Sequence, residues 1–240
     1  MINRPLDVCD GSTSLRALFL RAIGARGEVS WDYRNLIPPL ASEYRGTRGA
    51  KSARSARAKP RQIWAIRFFL DQHGRTRDRA LFDLAIDSKL RGCDPVKIKI
   101  GDIVCDRKVR TRAIVVQQKI GRPVQFELMD DARASLLRRL ELRGGSLKDY
   151  AFPSRTDHSA HMSTRQYARL ADEWVTGIGL PSEDYGTHSL RRTKASIIYK
   201  ATGNLRAVQI LLGHTEIEST VRYLGVDVED ALTLAEGTEI

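Results

Sequence analysis

THSLRRTKASIIYKATGNLRAVQILLGHTEIESTVRYLG, residues 187–225, is the stretch from which the rest of the chain is read. It contains a His-x-x-Arg step at His188 and Arg191, a Leu-Gly-His at Leu212 to His214, and a tyrosine nine residues later at Tyr223. His188 and Arg191 are three apart, so on a helix they share a face. Asn204 is placed to cap a following helix with Val208, Leu211 and Leu212 inward, and Gly213 to end it. Singly, such residues are ordinary: a histidine on a helix is more often a satisfied surface or core residue than a catalyst. Their order and spacing carry the argument. Arginine presents planar donors to phosphate oxygens, histidine passes protons near neutral pH, and a tyrosine hydroxyl can act as a covalent nucleophile. Together they describe attack on a phosphodiester.

The combination resembles the C-terminal half of the catalytic domain of the tyrosine recombinases, the phage-integrase family. There, His-x-x-Arg on one helix precedes Leu-Gly-His and then the nucleophilic tyrosine. The resemblance implies an α+β fold, mainly helical, with a small three-stranded antiparallel sheet. It also implies an upstream arginine and a lysine in a β-hairpin, and the rest of the chain supplies a candidate for each.

Ile63, Ile66, Phe69 and Leu70 form one helical face in KPRQIWAIRFFLDQHG, and Leu81, Leu84, Ala85 and Ser88 form another in RTRDRALFDLAIDSKLRG. Family members carry their first catalytic arginine after the second helix, in a Gly-Leu-Arg step; here the step reads Lys89-Leu90-Arg91, so Arg91 matches although Lys89 replaces the usual small residue. The period then changes to two. Val96, Ile98 and Ile100 alternate with polar residues or glycine, Arg112 to Gln118 reads as a second strand, and Pro123 to Leu128 as a third. These predict the three-stranded meander. Lys119, beside the Ile120-Gly121-Arg122 turn, is either an exposed hairpin lysine or the counterpart of the family's hairpin lysine. Two more helices are expected, Asp130 to Arg143 and Ser163 to about Ile178, with Asp130 and Ser163 as N-caps. Phe152-Pro153-Ser154 between them resembles a short loop of the family.

The resemblance implies a catalytic set of Arg91, Lys119, His188, Arg191, His214 and Tyr223. Arg91 and Arg191 would neutralise the non-bridging oxygens. Tyr223, with an ordinary pKa of about 10, would lose its proton to His188 as it attacks. His214 would hydrogen-bond the phosphate, and Lys119 would protonate the leaving 5′ oxygen. No carboxylate cluster accompanies these residues, as two-metal catalysis would need, so no cofactor or metal is expected.

Composition agrees with a polyanionic partner. The 240 residues hold 40 Lys and Arg against 29 Asp and Glu, a formal charge of +11. No run approaches the roughly 18 apolar residues of a membrane span, and MINRPLDVCDG lacks a signal-peptide core. A soluble, cytoplasmic, nucleoid-associated protein is expected. Cys9, Cys93 and Cys105 have no metal-ligand spacing and read as reduced thiols.

Three regions are expected. Residues 1–44 hold a short helical segment around Leu15, Leu18, Phe19 and Ile23. Residues 45–58 form a basic linker, in a stretch with seven basic and no acidic residues between Arg45 and Arg61. It either follows a DNA backbone or is simply solvated. Residues 59–240 form the catalytic domain, ending in the acidic tail GVDVEDALTLAEGTEI, which either docks into a neighbouring subunit or packs on its own. The first 58 residues are short for the helical domain that full recombinases place before the catalytic one, leaving a compact integrase, a borrowed clamp or a truncated relic open. The implied partners are double-stranded DNA, further copies assembled as a synaptic tetramer, and accessory DNA-bending proteins, with no membrane. A site-specific recombinase or integrase is the leading function. A type IB topoisomerase and a non-catalytic DNA-binding protein that kept the fold are the alternatives.

Overall fold

The computed structural model describes residues 56–225 together with Leu232 and Glu236. The expected helical segment over 1–44 lies outside them, as do most of the basic linker and of the acidic tail.

Helix α1 (Pro60–Gln72) starts on a proline, whose missing N–H is harmless at the first helical position, and turns Ile63, Ile66 and Leu70 inward. Helix α2 (Thr76–Ser88) is the axle of the domain. Every residue from Ala80 to Ser88 is buried, because α1 and two later helices pack around it. A helix covered on all sides must pair its charges. Asp83 therefore meets Arg67 of α1 at 2.8 Å and Arg79 at 2.9 Å.

The segment after α2 departs from expectation. Val96, Ile98 and Ile100 are buried as period-two reading requires, but the backbone is not a strand. Pro95 opens a 3-10 turn (Pro95–Lys97), and Ile100–Ile103 form the one-turn helix α3. Only Lys99 makes a β-bridge, and its partner is Tyr150 rather than the hairpin. Pro95, with φ fixed near the helical value and no N–H to give a ladder, explains the choice. The small antiparallel β-structure is instead two hairpins. One joins β1 (Val104–Cys105) to β2 (Lys108–Val109), and the other joins β3 (Arg112–Val116) to β4 (Pro123–Glu127). In the second, Ala113 faces Phe126 and Val115 faces Val124 on the core side.

Helix α4 (Asp130–Arg143) buries Leu136 and Leu140 against α2; its N-cap position falls to Met129, so Asp130 is the first helical residue rather than the cap. Helix α5 (Thr164–Thr176) is capped as expected, the Ser163 hydroxyl accepting from the Gln166 N–H at 3.0 Å. Its Trp174 meets Phe82 of α2 edge-on, ring centres 5.7 Å apart. Helices α6 (Thr187–Thr202), α7 (Leu205–Leu212) and α8 (Ile217–Leu224) carry the opening stretch. Asn204 caps α7 by accepting from the Ala207 N–H at 2.9 Å. These three helices close on a small separate cluster of Ala195, Val208, Leu212 and Leu224.

Cys93 is a free thiol, and Cys9 lies outside the described residues. No helix among the described residues is long and apolar enough to cross a membrane.

Candidate active site

Arg91, Lys119, His188, Arg191, His214 and Tyr223 all line one open pocket of about 420 Å³. They reach it from five parts of the chain separated by up to 132 positions in sequence, from Arg91 to Tyr223.

Arg91 follows the end of α2, where Lys89 takes a left-handed conformation (φ 54°). The family-atypical Lys89 is fully buried; its ammonium donates to the Asp87 carbonyl at 2.7 Å and lies 3.6 Å from Glu127. Burial, and then the Lys194 charge, pushes its pKa down to about 8. Lys119 stands exposed at the turn between β3 and β4. On α6, His188 sits at the pocket rim and Arg191 is buried on the same face.

A main-chain oxygen ties the two arginines together. The Leu212 carbonyl, at the end of α7, accepts from Arg191 Nη2 at 2.8 Å and from Gln117 Nε2 at 3.3 Å. Gln117 Oε1 in turn accepts from Arg91 Nη1. The hairpin reaches this carbonyl because Gly213 has no side chain. A Cβ there would come within 2.6 Å of Val124 Cγ2, and its φ of +66° suits only glycine well.

His214 follows directly. Its Nε2 lies 3.4 Å from Arg191 Nη2, and its Nδ1 lies 3.0 Å from the Thr220 hydroxyl. A guanidinium can only donate, so Nε2 accepts and the ring proton sits on Nδ1, facing Thr220. Burial, followed by the Arg191 and Arg91 charges, pushes the His214 pKa down to about 4. His188 is also shifted down, by desolvation on its walled side and then by Arg191, Arg192 and Lys119. Both imidazoles are neutral at pH 7.

Tyr223, on α8, lies among cations. Arg192 stands 4.8 Å and Arg191 5.5 Å from its ring centre, and the His214 ring meets it edge-on at 5.4 Å. Burial raises its pKa, while Arg191, Arg192 and Arg91 pull the other way. The hydroxyl donates to the His188 backbone carbonyl at 3.4 Å rather than to the imidazole.

Four contributors were not picked out by sequence reasoning: Gln117, Thr220, Arg192 and Gln209. Gln209 Nε2 donates to the His214 and Thr215 carbonyls at 3.2 and 3.1 Å and so fixes the turn. Arg192 had a signal, the Arg-Arg pair beside His188; Gln117 acts across 95 positions, and Gln209 and Thr220 act through contacts five or six positions apart that follow no motif. Among the described residues, no group of three or more His, Cys, Asp or Glu forms a metal site.

An anion-seeking pocket is the chemical result. Arg91, Arg191 and Lys119 line it, Arg192 lies over the Tyr223 ring behind them, the imidazoles are neutral acceptors or donors, and a phenol lines the same pocket. Such an arrangement can neutralise a phosphodiester and deliver an oxygen nucleophile to it.

Residues 59–230 match the model of the phage integrase family. The tyrosine recombinase XerC of Chromobacterium violaceum is 30% identical over 164 residues, covering 67% of this chain and 52% of the relative. XerC of Psychromonas ingrahamii is 29% identical over 154 residues, covering 64% and 50%. The chain spans about half the length of the curated relatives it matches. Among solved structures, the XerA recombinase superposes with a TM-score of 0.64 at 18% identity, covering 78% of this chain and 66% of that one. The lambda integrase dimer bound to a COC′ core site superposes at 0.57 and 22% identity, covering 73% and 49%. Both share the fold, a mainly helical domain with small antiparallel β-structure.

Proposed function

The chain belongs to the phage integrase family, and from that premise we propose that it is a site-specific DNA recombinase, cleaving and rejoining strands through a 3′-phosphotyrosyl intermediate. The observation that carries the reading is the convergence of all six residues on one pocket.

In this mechanism a DNA phosphate enters between Arg91 and Arg191, whose guanidiniums are already held by Gln117 and the Leu212 carbonyl. Little reorganisation is then needed when charge develops. The arriving anion reverses the electrostatics around His214, raising its proton affinity and turning Nε2 into a donor to the phosphate. The Tyr223 hydroxyl leaves the His188 carbonyl, gives its proton to the His188 imidazole and forms the O–P bond. The P–O5′ bond breaks, and Lys119 supplies the proton to the leaving 5′ oxygen. The phosphotyrosyl ester keeps the bond energy, so a second 5′ hydroxyl can reverse the step without ATP. Charge neutralisation falls to guanidinium groups, and the reaction is proposed to run without metal.

The partner is double-stranded DNA, with copies of the chain assembling on it as a tetramer and accessory proteins bending it. Work at the nucleoid follows from such a substrate. Residues 45–58 serve as a basic linker to the 59–240 catalytic domain, and residues 1–44 as a separate short segment.

The test incubates the protein, in EDTA, with DNA from the ends of its encoding element and looks for a covalent adduct after denaturation. An adduct that is lost in Tyr223→Phe supports the reading, and a two-site assay then separates recombination from relaxation. Salt-sensitive binding without any adduct would count against it.

A further inference from the structure

The end of α2 far from Arg91 carries a second cationic pocket, of about 600 Å³, that the chemistry above does not use. Arg77 of α2, Arg139 and Arg143 of α4, and Arg155 and His158 of the following loop line it, with Asp149 as the carboxylate in the lining. Arg139 and Arg143 are one turn apart and share a face. Their Nε atoms are buried without a hydrogen-bond partner. The local carboxylates are already committed. Asp149 accepts from the Ser146 N–H at 2.9 Å and hydroxyl at 3.1 Å, and stands 3.9 Å from Arg143. Asp78, behind the pocket, is held by Arg75 at 2.6 Å and Arg77 at 2.8 Å.

The backbone makes room for this crowding. Gly145 has φ +110°, and a Cβ there would run into the Arg143 guanidinium and lie 2.8 Å from the Asp149 carboxylate. Burial first, and then the charges of Arg143 and Arg77, pushes the Arg139 pKa down to about 10. A dianionic or diester phosphate would relieve that repulsion and accept from the free N–H groups.

We propose that this pocket grips a backbone phosphate of the nucleic acid, at a position away from the one that enters the catalytic pocket. The inference rests on the DNA-recombinase reading for its ligand. Eleven residues of helix separate Arg77 from the end of α2 at Ser88, a rise of roughly 16 Å. That is on the order of five base pairs of B-DNA. A rigid helix thus fixes the spacing between the reacting phosphate and a gripped one. The role is positioning, with no part in the bond-making steps.

The experiment measures binding of the full-length chain to a labelled duplex from the element ends across a salt series, for wild type, Arg139→Gln and the exposed-loop variant Arg155→Gln. Melting temperatures confirm folding. Expected are a log–log salt slope shallower by about one in Arg139→Gln, with affinity about tenfold weaker at moderate salt. Adduct yield at saturating DNA should stay at the wild-type level. Arg155→Gln should shift affinity in the same direction, and two variants with wild-type slope and affinity would overturn the proposal. Inorganic phosphate is the second probe: a melting-temperature rise that needs Arg139, with DNA slopes unchanged, would mean a free-phosphate site and also overturn it. If wild type forms no adduct while Arg139→Gln still flattens the slope, the recombinase reading fails and the backbone grip stands.

Discussion

Two sets of buried charge lie against α2, and they are built on opposite rules. Between α1, α2 and α4, Arg67 and Arg79 are paired with carboxylates: Arg67 reaches Asp83 at 2.8 Å and Asp131 at 2.7 Å, and Arg79 reaches Asp83 at 2.9 Å. Asp87 likewise receives Lys194 at 2.7 Å and the Met129 N–H at 2.7 Å. Around the pocket, Arg91 and Arg191 are held by an amide oxygen and a main-chain carbonyl, which fix direction without cancelling charge. The first arrangement satisfies charge within the protein, and the second leaves it for a ligand.

The contrast yields measurements that can break it. Asp83→Ala removes the fully buried partner of Arg67 and Arg79, leaving each only a half-exposed carboxylate (Asp131 and Asp71), and should cost about 3 kcal/mol of stability in urea unfolding. A loss below about 1 kcal/mol would mean that the paired layer is not structural. Arg191→Ala should do the reverse, cutting adduct formation by about 10²–10³-fold while costing about 1–2 kcal/mol of stability, because it empties a buried position and takes one donor from the Leu212 carbonyl but also removes a charge that burial disfavours. Equal losses of stability and activity would erase the distinction between the two regions.

The smallest effect concerns pH. His214 has a folded pKa of about 4 against an unfolded value of about 6.5. Its depressed folded value means that the unfolded chain binds the proton first, so the neutral ring's contribution is intact above pH 6.5 and is lost as pH falls toward 4. Roughly 1–2 kcal/mol should disappear over that window, allowing for solvent screening. His214→Asn should flatten this part of the profile, and an unchanged profile would place the acid sensitivity elsewhere.

Much of the helical framework was legible in the sequence, because apolar spacing and caps are local. Tyr167, Leu170 and Trp174 turn inward on α5, and Ser163 and Asn204 cap where short polar side chains can accept N–H groups. The segment 96–100 shows the limit. Its alternating burial was right, but Pro95 bent the backbone, and the Ile98 carbonyl found the Ala151 N–H at 2.9 Å instead of a neighbouring strand. The six candidate residues were legible as a pattern of types and spacings. What holds them was not: Gln117 sits 95 positions from the carbonyl it shares with Arg191, and no local rule joins such residues. The resting place of the Tyr223 hydroxyl, on a carbonyl rather than an imidazole, likewise depends on the fit of α8 against α6.

Gly213 gives the Leu-Gly-His step a meaning beyond its role as a signpost. Any larger residue at its centre would collide with Val124, on the same hairpin that carries Lys119. The middle letter of the step is thus set by a strand some ninety positions earlier in the chain. A substitution there would act as a wedge, parting the lysine-bearing hairpin from the histidine that follows, so tolerance at position 213 reports the closeness of two loops.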